Sequence, residues 1–454
     1  MFVDDDLLDV TLDTGAKVTL AFGDPIEVLG PAVAGNDVRV RLRDGQEGVA
    51  DRRLKTRATG VLQFALVDVQ QGDGMVIETP SGKVILVDGG DNEMFTSYLA
   101  ARFRKHTAAD PLEVEAIVVT HGDADHFEGL TKIRASETGR TNRRLFLRPK
   151  RLYHNGIIKD SGSDPKVIFG PAVEQSGRHF ITALEDDLLS VDDSRMNAPF
   201  KRWKQTLRHW EDAKPAGVAP LESRRLKLGV TDAFGFLSAD GVKVDVLGPI
   251  EDGPGLPLLK KPGSSSLSAS HTINGHSVVL RVELGNVRIL LSGDLNEESM
   301  ARLSASVDPS RLEAEIVKVP HHGAEDFDFP TLKKMKPFVW LISSGDDNSA
   351  KEHIHPRANL LGSLGAASRT GLRPLIFCTE LTAFFARRGR GRTIEDPVRT
   401  FLAFERTNFG IVHVRTDGER LFVFTHSGRQ GMKEDYAYRV DADHRVTERR
   451  VVRR

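Results

Sequence analysis

The apolar positions of this chain change their rhythm near residue 58, and the two rhythms predict two kinds of structure. Before that point, short runs that alternate apolar and polar residues (KVTLAF, PIEVLG and DVRVRLRDGQEGVA, with a turn at Asp44-Gly45) predict antiparallel strands over residues 11–54. The polar segment DRRLKTRATG follows, and from residue 61 the runs become more continuously apolar. VLQFALVDV, MVIET and KVILVD read as core strands, the last two joined by a turn at Pro80-Ser81-Gly82. In NEMFTSYLAARFRKH, the residues Met94, Tyr98, Leu99 and Phe103 recur at helical spacing, with Asp91 as the candidate N-cap. EAIVVT is then a strand, and a second helix is expected to start around His126. Strands alternating with helices predict a sheet covered by helices, an α/β class.

The rhythm breaks between about residues 155 and 235, where one amphipathic helix, FKRWKQTLRHWEDA, stands among polar connections; this stretch reads as an insertion. Residues 251–270, rich in Pro, Gly and Ser, read as a mobile loop. SVVLRVEL and VRILLSGD form a hairpin about Gly285-Asn286 whose second strand ends at Asp294, and EIVKV, PFVWLIS, IVHVR and LFVFT are further strands. No repeat of solenoid period is present. A chain of 454 residues suits a large domain with a small appendage, drawn here as residues 1–58 and 59–454.

Composition narrows the classes. With 39% hydrophobic and 28% charged residues the chain is globular. No window of about 18 uncharged apolar residues occurs, and the amino terminus MFVDDDLLDV is acidic where a signal peptide is basic, so a soluble, cytoplasmic protein without a membrane partner is expected. The single cysteine, Cys378, excludes an internal disulfide and a thiolate metal cluster, and reads as a small buried residue. A net charge of −1 gives no overall basic field for nucleic acid, although RTNRRLFLRPKR (140–151), ARRGRGR (386–392) and the ERRVVRR terminus are local candidates for phosphate contacts.

The candidate chemistry lies at strand ends. VVTHGDADHFEGL leads from a strand into His121, Asp123, Asp125 and His126, two carboxylates and two imidazoles of the kinds that hold hydrolytic divalent metals. An EF-hand reading fails because Phe127 stands at the third acidic position and the loop glycine is absent. Three other strands end in Asp88-Gly89-Gly90, in Gly293-Asp294 and in His321-His322-Gly323, and PFVWLISSGDDNSAKEHIHP ends in His353 and His355. Strands of one sheet place their functional ends on one edge, so these residues are expected to converge.

The motif HGDADH with the Ser292-Gly293-Asp294 segment resembles the metallo-β-lactamase-fold hydrolases. LVDVQQGDGMVIETPSGKVILVDGG, THGDADHFEGL, NGHSVVLRVELGNVRILLSGD, VKVPHHG and EHIHP together resemble the hydrolase domain of the ComEC competence proteins, over about residues 61–365. The early strands and RLRDGQEGVA resemble bacterial SH3-like domains. These resemblances imply an αβ/βα four-layer sandwich preceded by a small all-β SH3-like barrel, with a site for two divalent metals (manganese or zinc, with magnesium as a further candidate). They imply that His121 and Asp123 hold a first metal, that Asp125, His126 and His353 hold a second, and that Asp294 bridges them. Asp125 would orient the attacking water, His321 or His322 would donate a proton or contact the scissile group, with direct ligation also open, and Asp88 would hold a ligating imidazole. Two metals about 3.5–4 Å apart suit in-line phosphoryl displacement.

Two departures follow from the same comparison. Asp123 stands where many relatives have histidine, which favours Mn²⁺ or Mg²⁺ over zinc, and no residue clearly matches the middle histidine, for which His271, then His276 and His154, are candidates while Asn274 fits the pattern better. A single metal is therefore also open. The leading reading is a metal-dependent phosphodiesterase or nuclease acting on nucleic acid or another phosphodiester. The alternatives are hydrolysis of a small ester, thioester, lactam or cyclic nucleotide, and an inactive binding module that recruits a protein partner through the barrel.

Overall fold

A computed structural model of the chain describes residues 1–32, 37–345, 355–381, 393–395, 400–402, 407–408, 410–427 and 431–454. The expected ligand His353 and the basic run 386–392 lie outside the described residues. The protein is mixed α/β and rich in sheet. Strands Leu7–Leu12, Lys17–Ala21, Ile26–Pro31, Asp37–Leu42 and Glu47–Asp51 pair antiparallel, in the order second, first, fifth, fourth, third. Alternate side chains of these strands, Leu8, Val10, Leu12, Val40 and Ala50, fill a small core of their own.

Two larger sheets follow. The first runs Glu222–Arg225, Arg151–His154, Leu112–Val118, Val84–Asp88, Gly74–Glu78, Leu62–Leu66 and then the C-terminal strands Ile411–Thr416, Arg420–His426, Met432–Val440 and Val446–Arg449, with Leu147–Pro149 also paired to Leu112–Val118. The second runs Val242–Gly248, Val279–Leu284, Val287–Leu291, Ile316–Lys318, Val339–Ile342 and Leu375–Cys378. A core that includes Phe64, Ile77, Val118, Ile289 and Leu341 draws on both sheets. The opposite face of the first sheet buries Leu86 and Ile117 with Phe95, Phe127, Trp203 and Trp210 of helices Met94–Arg102, Ala124–Ser136 and Ala198–Asp212. The opposite face of the second buries Leu290 and Trp340 with Met300, Leu332 and Leu364 of three further helices. Both faces of each sheet are thus covered, which is why VILVD is apolar up to its final Asp88 and VRILL at every position except Arg288, which pairs with the buried Glu315.

Several local expectations change. Asp91 does not cap its helix: Glu93 takes that place, and Asn92 Oδ1 accepts the Met94 N–H at 2.8 Å. Leu256, Pro257, Leu258 and Leu259 of the 251–270 segment are buried, because Ile181 pairs with Leu256 and the leucines pack on Phe169 and Ile273; the composition concealed an anchored stretch. Within 155–235, the polar strand Glu222–Arg225 joins the edge of the first sheet in parallel with Arg151–His154. The basic run 140–151 lies at the opposite end of this sheet from the candidate metal ligands, since Arg148 pairs in register with Glu113 at the start of a strand whose far end leads to His121. No described helix is long and apolar enough to cross a membrane.

The amino and carboxyl termini are bound to each other. The Leu7 and Asp9 amides donate to the carbonyls of Val452 and Arg454, at 3.0 and 2.7 Å. Asp6, fully buried, pairs with Arg449 and Arg420, while Arg453 pairs with Asp9. Three arginines of the basic terminus, Arg449, Arg453 and Arg454, thus face acids of the amino-terminal segment. Phe22 and Val61 pack against Phe422 and Phe424. A chain starting at residue 59 is therefore expected to lose several kcal/mol of stability, because a half-buried Arg449 loses its carboxylate and two phenylalanines lose cover. It should keep its metal groups, which begin at Asp73. Thermal unfolding and metal content of that chain check this, and loss of metal at a temperature where it remains folded would contradict it.

Candidate metal centre and active site

Each functional side chain stands where a strand stops. Val84–Asp88 and Leu112–Val118 run parallel, so Asp88 and the Thr120-His121 segment emerge on one edge. In the second sheet Val287–Leu291 and Ile316–Lys318 run parallel and deliver Asp294 and His321-His322. The Val278 amide donates to Thr120 O at 2.8 Å, which ties the two edges together.

Asp88 is buried with φ of 57°. Its carboxylate accepts the Thr120 amide at 2.8 Å and the Thr120 hydroxyl at 2.7 Å, and lies 2.9 Å from His126 Nδ1. His126 Nε2 is 3.2 Å from Asp294 Oδ2. Asp294 is placed by its own amide, which donates to Ser277 Oγ at 2.9 Å; that hydroxyl donates to Asn274 O at 2.8 Å and lies 3.3 Å from His121 Nδ1. Gly293, at φ 51°, brings the backbone so close to Ser277 that a Cβ would lie 2.7 Å from the hydroxyl.

The structure gathers His121, His126 and Asp294, and also Asp125, His126 and His322, into groups whose ligand atoms lie within 4.8 Å of one another. Asp73, in QQGDGM, and Lys318, in VKVPHHG, belong to the same cluster: Asp73 groups with Asp294 and His322, and Lys318 pairs with Asp73. Gly72, at φ 91°, lets the Asp73 loop press against the helix that carries Asp125, where a Cβ would meet the Asp125 carbonyl oxygen.

Other expected residues are placed differently. Asp123 belongs to none of the gathered groups; its Oδ1 faces Lys159 Nζ at 3.1 Å, and its Oδ2 accepts the Asn274 amide at 2.9 Å. The Asn274 oxygen faces His321 Nε2 at 3.3 Å, and His321 Nδ1 lies 3.0 Å from Asp326 Oδ1. His271 stands on that same side, 3.9 Å from Asp326, and His355 stacks 6.0 Å from His321. His276 and His154 belong to none of the gathered groups, and their Nε2 atoms face backbone carbonyls, Pro257 O at 2.7 Å and Asp186 O at 3.1 Å.

The donor set fits a divalent metal. His121 Nε2 is buried without a hydrogen bond, as are both ring nitrogens of His322, and buried polar atoms of this kind call for a partner. Imidazole and carboxylate groups facing one another suit Zn²⁺ or Mn²⁺. Burial pushes the His121 imidazolium far down, so it stands neutral and ready to ligate. Burial also works against charge on His126 and His322, but Asp294 with Asp88 or Asp73 outweighs it, raising His126 well above its ordinary range and His322 to about 10. Asp294 is penalised by burial yet held well below the usual carboxylate range by His322, His126 and Lys318. Burial raises Asp88 and Asp123.

These shifts fix a pH dependence. His322 has its folded value above its ordinary 6.5, so its contribution to the metal-free fold is complete below pH 6.5 and is lost as pH rises through about 10. The Tm of the metal-free protein is therefore expected to fall between about pH 7 and pH 10, and metal uptake at neutral pH should release protons. Calorimetry across that range checks the first, and a Tm that rises over it contradicts the assignment.

Helix-covered sheets whose strand ends gather histidines and aspartates make a candidate divalent-metal site. Residues 67–137 match the model of the Metallo-beta-lactamase superfamily. The matched segment holds Asp73, Asp88, His121, Asp123, Asp125 and His126. No curated protein matches the chain. Among solved structures, it is similar to a metal-dependent hydrolase of the beta-lactamase superfamily at 10% identity, covering 70% of this chain and 95% of the other with a TM-score of 0.32. It is similar to Zn(2+)-bound PqqB from Methylobacterium extorquens at 11% identity, covering 69% and 97% with a TM-score of 0.31. It is also similar to a diphosphatase from the PhnP family at 14% identity, covering 64% and 90% with a TM-score of 0.28.

Proposed function

We propose that this chain is a metal-dependent phosphodiesterase, with nucleic acid or a smaller phosphodiester as substrate. The observation that carries the reading is the Asp294 carboxylate, whose Oδ2 stands between His126 and His322 while the unpartnered His121 Nε2 belongs to the same cluster. His121, His126, Asp294 and Asp125 would hold a divalent ion there. Such an ion supplies Lewis acidity toward a phosphoryl oxygen and lowers the pKa of water.

The chain's own groups supply the rest. Asp125 is the carboxylate of the cluster that keeps contact with solvent, its side chain 23% exposed against 3% for Asp294, which suits it to orient an entering water. His321 is opposed by burial, but its Asp326 partner keeps its pKa raised, which suits it to give a proton to a leaving alkoxide. Lys159 is paired with Asp123 and the buried Lys318 with Asp73 and Asp294, so the charge that would favour an anionic phosphoryl centre over a neutral lactam or ester is that of the bound ion.

The test is turnover of single-stranded DNA, duplex DNA, RNA and bis(p-nitrophenyl) phosphate by the chelated and the Mn²⁺-reloaded protein. Hydrolysis of one or more of these only after reloading is expected. Hydrolysis confined to carboxylic esters, thioesters or lactams overturns the phosphodiester reading.

A further inference from the structure

The two imidazoles that face Asp294 are mounted alike. His126 has Nδ1 2.9 Å from Asp88 Oδ2 and Nε2 3.2 Å from Asp294 Oδ2. His322 has Nδ1 3.4 Å from Asp73 Oδ1 and Nε2 3.0 Å from the same oxygen of Asp294. His321, its neighbour in the chain, has both ring nitrogens engaged away from the cluster, by Asp326 and by Asn274. The turn that separates the two rings is unusual: His321 and His322 take φ of 47° and 52°, consecutive left-handed conformations that strain non-glycine residues. The rings end 6.2 Å apart at 67° to each other.

Lys318 closes this arrangement. Its ammonium is wholly buried, pairs with Asp73, donates to Gly293 O at 2.9 Å and lies 3.4 Å from Asp294 Oδ1. Lys318, Asp73, His322 and Asp294 therefore form a closed ring of alternating charge, in which Lys318 engages one oxygen of Asp294 and leaves the other to the imidazoles. Without the lysine, two buried carboxylates would share one pocket and repel.

We propose that His322 is a metal ligand whose ring is set by Asp73, that Lys318 is the positioning residue holding both Asp73 and Asp294, and that His321 is not a ligand. This rests on the metal-dependent reading above. A carboxylate beside Nδ1 favours the tautomer that leaves the Nε2 lone pair for the ion, the place Asp88 takes at His126 and Asp73 takes at His322. The strain at His321 and His322 serves to send one ring to the metal and the other to the substrate side.

The test measures Zn²⁺ and Mn²⁺ affinity of the full chain by competition with a chromophoric chelator, together with the Tm of each metal-free variant. His322→Gln and Asp73→Asn are expected to weaken binding about tenfold or more, while His321→Gln stays within about twofold of wild type. Because Lys318→Met strands a buried carboxylate, the double variant Asp73→Asn/Lys318→Met, which removes both charges, reports in its place and is also expected to bind about tenfold more weakly while remaining folded. Wild-type affinity in Asp73→Asn or in the double variant, or weaker binding by His321→Gln than by His322→Gln, overturns the assignment while leaving the functional reading intact. A wild-type chain that takes up no metal overturns both.

Discussion

Asp294→Asn is expected to weaken metal binding by about a hundredfold or more and to lower kcat by at least about a thousandfold, equivalent to about 4 kcal/mol of transition-state stabilisation. Asp294 is the one residue whose carboxylate touches His126, His322 and Lys318 together. Asparagine keeps its shape, and the Asp294 amide would still donate to Ser277, so the turn after Val287–Leu291 should persist. Lys318 keeps Asp73 as its partner, so no buried cation is left alone. The checks are metal content, steady-state kinetics on bis(p-nitrophenyl) phosphate and the Tm. A fold lost together with the activity would assign Asp294 to structure instead of chemistry.

Asp125→Asn is expected to act on the chemical step. Asp125 lies in the first turn of helix Ala124–Ser136, with Oδ2 4.0 Å from His322 Nε2, and it is the partly exposed member of its group. Losing its charge removes both a ligand and the group that aligns water, so kcat should fall by several orders of magnitude while the Tm of the metal-free protein changes little. Near-native turnover in this variant would remove Asp125 from the mechanism.

How far the sequence revealed this site depends on the residue. HGDADH, SGD and HHG each stand at the end of an apolar strand, and strand ends on one edge meet, so His121, Asp125, His126, Asp294 and His322 were open to prediction. Asp73 and Lys318 were not. Asp73 sits between two glycines in QQGDGM, which reads as a turn, and its task appears only once Gly72 is seen to pack on the Asp125 backbone. Lys318 had a weak signal: it is the lone cation in EIVKV, where both neighbouring valines are buried and the lysine is fully buried with them. Asp123 shows a different limit, because a motif position specifies a residue type and not its partner, and Lys159 from the 155–235 segment lies 3.1 Å from that carboxylate. That segment also hid its strand Glu222–Arg225, since an edge strand of four polar residues has no apolar alternation to read. The attachment of the N-terminal sheet to the C-terminal strands was equally hidden, as it rests on pairs such as Asp6 with Arg449 that are hundreds of residues apart in sequence.

The central claim is that a divalent ion held by this histidine and aspartate cluster is required for phosphodiester cleavage. The most direct measurement is bis(p-nitrophenyl) phosphate turnover by the purified full chain, titrated with Mn²⁺ after exhaustive chelation. Turnover that is absent in the chelated protein and rises to saturation with bound metal is the predicted result. Turnover that persists at full rate in protein shown to contain no metal, or that stays absent when metal is bound, would contradict it.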